Sequence, residues 1–294
     1  MNLSPERLEK AISTASDLPT LPHMAKALNK LIRTPQTSAA QIGTLISEDQ
    51  ALTAQVLRVV NSAYYGFPRQ INNVTHSIVI LGFNKVRDIV LMSSILDCFR
   101  GRTGEFDFVE FWKHSMGTAI ASDALANTLR VSCEEDAFVA GLLHDIGKLV
   151  LSASFPQPFG EALALAQKKE MLLRDAEMEL FGFDHSLVGN ILALKWGFTE
   201  NLCEAIHHHH NPAIARRGQE LASIVHVGDI LARSIMIGSG GDNQIPVIDE
   251  MVRTNLDITR EEIDRALHKT FQGLIRGSVF FDLIRAATQE EAVE

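Results

Sequence analysis

The sequence predicts an all-α fold, a multi-helix bundle in two helical subdomains. Three observations carry that prediction. Apolar residues recur at three- and four-residue spacing along nearly the whole chain, the period of a helix with one buried face. No stretch of useful length alternates apolar and polar residues as a half-buried strand does. Helix start and stop signals punctuate the chain at helix-length intervals.

The elements follow in order. Ser4-Pro5-Glu6 opens a helix over 4–14, with a capping hydroxyl and a Pro at the first helical position. Leu18-Pro19-Thr20-Leu21-Pro22 is a stiff extended entry, because each Pro pushes its predecessor out of helical backbone angles. A helix follows to about Ile32. Thr37 or Ser38 caps the next, over 39–47. Leu52, Val56, Leu57 and Val60 share one face of another, which closes in the turn from Asn61 to Pro68. Two more cover 74–81 and 84–99, with Gly82 between them. The polar span Arg100–Asp107 marks an internal boundary. Helices then cover 108–129, 134–151, 158–170, 174–180, 184–195, 199–209 and 218–236. Gly238–Pro246 reads as loop, and Thr259 with Glu262 makes a capping box for a closing helix over 259–271. The expected organisation is an N-terminal helical subdomain at 1–105, a second at 106–236 and a C-terminal helical extension at 237–294.

Composition excludes several classes. The formal charge is −9, from 27 basic and 36 acidic residues. Phosphate binding needs a basic footprint, so no nucleic-acid partner is expected. Three widely spaced cysteines with no CxxC pair imply neither a disulfide framework nor a zinc ribbon. They suit reduced thiols in the cytoplasm. The first residues are polar and charged, unlike a signal peptide. No apolar stretch is read as reaching the ~18 residues of a membrane span, so no membrane partner is expected.

The chemistry gathers around FVAGLLHDIGKLVL, residues 138–151, where His144 and Asp145 sit side by side in an apolar run. Titratable groups enter such a run only when something offsets their desolvation, and a divalent metal would. Both residues can reach one ion from the helix edge between them, or Asp145 can bridge two ions while His144 binds one. Of eleven histidines, most lie between 114 and 226. Glu110 and His114 share a helix face, as do His226 and Asp229. His185 stands at a helix start, and His207-His208-His209-His210 ends a helix before Asn211-Pro212. Imidazole nitrogens with carboxylate oxygens form the donor set of a hard or borderline divalent ion.

At these residues the chain resembles the HD superfamily, and within it the HDOD domain family, over about 15–235. The N-terminal half carries LPTLP (18–22), LISEDQALTAQVLRVVNSAYYG (45–66) and INNVTHSIVILGFNKVRDIVL (71–91). The C-terminal half carries FWKHS (111–115), GLLHDIGKLVL (141–151), HSLVGNILALKWGF (185–198), AIHHHHNP (205–212) and IVHVGDILA (224–232). The resemblance implies an all-helical fold related to the HD-GYP cyclic-dinucleotide phosphodiesterases. It implies a ligand set of His114, His144, Asp145, His185, His209, His210 and Asp229. By the same carry-over, Asp145 bridges two ions. One is held by His114, His144 and Asp229, the other by His185 with His209 or His210. Lys148 matches a phosphate-facing lysine; its alternative role is a cation in the last turn of its helix, favourable to the dipole. Glu110 matches a position that serves an extra metal in some relatives. Relatives that hydrolyse cyclic di-GMP carry HHE followed by a GYP loop. Here HHHHNPAIARRG stands instead, a departure that counts against that activity and leaves metal binding untouched.

Five imidazoles and two carboxylates suit two divalent ions, Fe or Mn, with Zn admissible. The leading expectation is a cytoplasmic signal-transduction protein that retains this metal site and acts through an unidentified protein partner. The alternative is a metal-dependent phosphohydrolase on a nucleotide or cyclic nucleotide, with Asp145 and Lys148 as catalytic residues and an open cleft beside the metals. A third reading is a di-iron redox sensor. Tyr64, Tyr65 and Phe67 mark a candidate contact surface, and the extension at 237–294 offers a homodimer contact.

Overall fold

The computed structural model describes residues 20–32, 34, 36–99 and 106–289. The expected helix over 4–14, Leu18 and Pro19, and most of the boundary at 100–107 lie outside them. Among the described residues every regular element is helical. The chain divides into two compact units. One holds the described residues from 20 to 99 and from 271 to 289, the other those from 106 to 270. Residues 237–294 are therefore shared between the two.

The first unit begins with α1 (His23–Ile32), α2 (Ala39–Ser47), α3 (Gln50–Val60), α4 (Val74–Leu81) and α5 (Phe83–Cys98). Of the two caps open for α2, Ser38 is used. Gln41 N donates to Ser38 Oγ at 3.2 Å, and Ser38 N donates to Gln41 Oε1 at 2.8 Å, which closes a capping box. Asn61 ends α3 and clamps Ile71, accepting from its N–H at 2.7 Å and donating to its carbonyl at 2.8 Å. That pair fixes the turn between α3 and α4. The turn's rings are half-buried: Tyr64 meets Phe280 edge-on, and Tyr65 stacks with Phe67.

The second unit holds α6 (Phe108–Leu129), α7 (Glu134–Leu143), α8 (Ile146–Ser154), α9 (Pro156–Lys169), α10 (Leu173–Phe181), α11 (His185–Lys195) and α12 (Glu200–His208). A 3-10 turn (Pro212–Ile214), α13 (Gln219–Ser234), α14 (Glu250–Asn255) and α15 (Arg260–Arg276) follow. The division between units falls within α15, and α16 (Ser278–Gln289) belongs to the first. Buried α6 packs against α7 and α13, while α8 crosses α11 and α12 lies beside both α11 and α13.

Three expectations are corrected. The single helix over 134–151 is two helices, broken at His144-Asp145. Asp145 sits at φ −99°, ψ 7°, outside helical angles, and α8 restarts from it. The joint lets two consecutive side chains turn toward the same interior point, which a continuous helix would set about 100° apart. The closing helix runs on to Arg276, with α14 and α16 unanticipated beside it. Finally, Glu134–Ser154 is long and apolar enough to cross a membrane, contrary to the sequence reading; 89 % of its most apolar window is buried within the protein.

Candidate metal centre

The second unit brings seven ligand candidates from five places in the chain to one buried point. α6 supplies His114, the α7–α8 joint His144 and Asp145, the first residue of α11 His185, the end of α12 His209 and His210, and α13 Asp229. All but His210 are at most 3 % exposed. Asp145 stands at the N-cap of α8 but makes no capping bond, so its carboxylate faces the cluster instead of the helix backbone. Its Oδ1 lies 2.9 Å from His185 Nε2 and 3.8 Å from His209 Nε2. Its Oδ2 lies 3.2 Å from His144 Nε2 and 3.6 Å from His114 Nε2. Asp229 Oδ1 is 3.0 Å from His114 Nε2 and 3.8 Å from His144 Nε2. Two donor groups result: His114, His144 and Asp229, and Asp145, His185, His209 and His210, the atoms of each within 4.8 Å of one another. Asp145 presents one oxygen to each.

Part of the donor set is paired, with His210 Nε2 2.9 Å from His185 Nε2, but the remaining donor atoms fit a metal rather than one another. His144 Nδ1 is fixed to the Gly141 carbonyl at 2.7 Å, His209 Nδ1 to that of Ile206 at 2.8 Å, and His185 Nδ1 to Glu177 Oε2 at 2.6 Å. Each ring is thereby oriented with Nε2 inward. The Nε2 atoms of His114, His144 and His209, and Asp145 Oδ1, are buried without a hydrogen-bond partner. Several lie within 3–4 Å of an acceptor yet out of line with it. Buried polar atoms are almost always satisfied, and four orphans converging on two points are what a pair of cations would satisfy.

Comparison with known proteins identifies the family and the fold. A family model for the HDOD domain matches residues 18–212. The chain belongs to the HDOD domain family. An HDOD domain protein of unknown function from Geobacter sulfurreducens superposes with a TM-score of 0.72 at 25 % identity, covering 97 % of each chain. A Shewanella amazonensis protein provisionally named a phosphohydrolase shares the fold with a TM-score of 0.73 at 22 % identity, over 94 % of this chain and 97 % of that one. An uncharacterized protein of Treponema pallidum (strain Nichols) is 22 % identical over 260 residues, covering 88 % of this chain and 49 % of that protein. The chain thus spans about half the length of the curated relative it matches.

Other candidates in this HDOD chain fall outside the cluster. Glu110 pairs with Lys113 at 2.5 Å. His226 bridges backbone, its Nδ1 at 2.8 Å from the His209 carbonyl and its Nε2 accepting from Asp249 N at 3.1 Å. His207 lies near Asn190, and His208 near Glu204. Lys148 needs a correction. The break at 144–145 puts it in the first turn of α8, where the helix dipole opposes a cation, so the last-turn role fails. Its fully buried Nζ donates to Asp145 Oδ2 at 2.6 Å.

Three features of the HDOD centre escaped the sequence reading. Glu177 of α10 holds His185. Arg233 donates to both oxygens of Asp229 at 2.9 and 3.1 Å and to Asp242 at 2.8 Å; its i+4 spacing from Asp229 was a legible signal. The loop after α13 covers the site. Ser239 N donates to the Glu110 carbonyl, and Asp242 accepts from Leu173 N at 3.0 Å. A Cβ on Gly240 would lie 3.2 Å from Lys148 Nζ and 3.3 Å from Asp145 Oδ2. The loop's other side, with Phe106, Gln167 and Met171, lines a cavity of about 680 Å³ that includes none of the ligand candidates. That cavity is therefore not the open cleft expected beside the metals.

Burial opposes charge throughout, and neighbours decide each group. His144, Lys148 and His185 hold Asp145 well below the usual carboxylate range despite its burial. Arg233 and His114 do the same for Asp229. Burial works against His185 protonation, but Glu177 and Asp145 override it and raise the group to about 9. His114 is raised against its burial by Asp145 and Asp229. Burial and neighbouring imidazoles push His209 and His210 far down, so both are neutral, ligand-ready bases.

Proposed function

We propose that this chain is an HDOD signal-transduction module whose HD-type centre holds two divalent ions in a closed, structural or sensing role. The observation that carries the reading is the set of buried, unpartnered Nε2 atoms converging on the two oxygens of Asp145. His114, His144 and Asp229 would hold one ion, and His185, His209 and His210 the other, with Asp145 between. Fe or Mn fits five imidazoles and two carboxylates, with Zn a weaker fit. The proposed setting is the cytoplasm. The proposed partner is a protein, because a chain of charge −9 offers little to nucleic acid.

Lys148 favours a second reading, phosphodiester hydrolysis on a nucleotide or cyclic nucleotide. Bound ions would lower the pKa of a water and polarise phosphoryl oxygens. Lys148 would offset phosphate charge beside Asp145. The loop around Gly240 stands against it, since it packs against Lys148 and Asp145, which a phosphate would have to reach.

Elemental analysis of untagged protein purified without chelator tests the first reading, beside an Asp145→Ala control. About two Fe or Mn per chain, lost in the control, is the expected result. A metal-free wild type would overturn the metal centre. A screen of phosphodiester substrates on the loaded protein separates the two readings, and turnover would favour the second.

A further inference from the structure

We infer that Glu177 is the positioning residue of one half of the centre: it sets the orientation and donor strength of His185 and so tunes one of the two ions selectively. The inference rests on the metal centre proposed above. Glu177 is fully buried on α10, eight residues before His185. Its Oε2 accepts from His185 Nδ1 at 2.6 Å and from His185 N at 2.9 Å. Its Oε1 is buried without a partner. Among the described residues its ion pair is with His185 and not with a Lys or Arg, so the charge of a desolvated carboxylate is directed at one imidazole.

The chemistry differs from that at the other rings. His144 and His209 rest their Nδ1 on neutral backbone carbonyls. Only a carboxylate places a full negative charge behind the ring, which strengthens Nε2 as a donor to a cation. The bond to His185 N also ties the ring's own backbone, so neither the ring nor the start of α11 can rotate away. A purely structural role, satisfying an amide at the start of α11, would need only the backbone bond. The charge and the bond to Nδ1 would then be idle.

The two donor groups make the inference selective. His185 belongs to the group with Asp145, His209 and His210, and not to that with His114, His144 and Asp229. Glu177→Gln keeps an acceptor oxygen and the side-chain size but removes the charge. Metal-free protein is titrated with Co(II) and followed by visible absorbance and calorimetry. Wild type, Glu177→Gln, Glu177→Asp and His114→Ala are compared. The expected result is two binding steps in wild type, with one weakened about 10–100-fold in Glu177→Gln and the other unchanged. His114→Ala weakens the opposite step. Glu177→Asp, which keeps the charge, recovers part of the loss. Equal affinities in wild type and Glu177→Gln, or equal weakening of both steps, overturns the inference while leaving the metal centre standing. A wild type that binds no Co(II) overturns both.

Discussion

Replacing Gly147 by alanine tests whether the centre depends on the close crossing of α8 and α11. A methyl at 147 would land on the His185 carbonyl oxygen, nearer than non-bonded atoms come, and 2.7 Å from Gly189 N. Non-bonded heavy atoms settle near 3.5 Å, so the helices must part by about 0.8 Å at Gly189 and by more at His185. Both obstacles are backbone, and no rotamer change relieves them. Overpacking of this kind costs about 1–3 kcal/mol, and the upper end applies here. At ~2–4 °C per kcal/mol for a unit of this size, the melting temperature should fall by roughly 6–12 °C. The same displacement reaches the site. α8 starts at Asp145 and carries Lys148, while α11 starts at His185, whose Nε2 is 2.9 Å from Asp145 Oδ1. Metal affinity should therefore drop along with stability. The assay pairs thermal unfolding of the metal-free variant with metal titration. A melting temperature within about 2 °C of wild type refutes the steric argument. A lowered one with wild-type affinity refutes the link between crossing and centre.

Two further outcomes follow from the electrostatics and the loop. His185 is raised to about 9 from an ordinary 6.5, so in metal-free protein its ion pair with Glu177 stabilises fully below about pH 6.5 and is lost as pH climbs through about 9. A metal must displace that proton, so affinity should rise about tenfold per pH unit over the same window. Titrations across it check this, and a flat profile contradicts it. Asp242→Ala removes the acceptor shared by Arg233 and Leu173 N, while Asp229 still holds Arg233. Amide exchange at 238–244 should quicken, by about 1–3 kcal/mol in opening free energy. Unchanged protection there would mean that other contacts hold the loop.

Much of the architecture was legible because helix signals are local. The cap at Thr37 or Ser38, the stop at Asn61, the break at Gly82 and the capping box at Thr259-Glu262 depend on residues within a few positions of one another; the first resolves to Ser38 and the others stand as read. The joint at His144-Asp145 was hidden because its apolar flanks continue the helical period on both sides. Tertiary demand, not propensity, breaks the helix there. The residues of the cluster were visible as a set through their types and the family likeness. Glu177 was not, since its partner lies on another helix and an acidic residue in EMELFGFDH reads as solvated surface. The covering loop was read as a loop, but no local signal says what a loop lies on.

That cover has a kinetic consequence. A ligand shell at most 3 % exposed except at His210, with Gly240 against its lysine and carboxylate, would leave an ion little room to depart without movement of the loop. Exchange with surrounding metal would then run at the rate at which the protein breathes, not at the rate at which ions diffuse. A centre of this kind keeps whatever ion it captured, for as long as the loop stays down. Its content is closer to a record of past supply than to a reading of the present one.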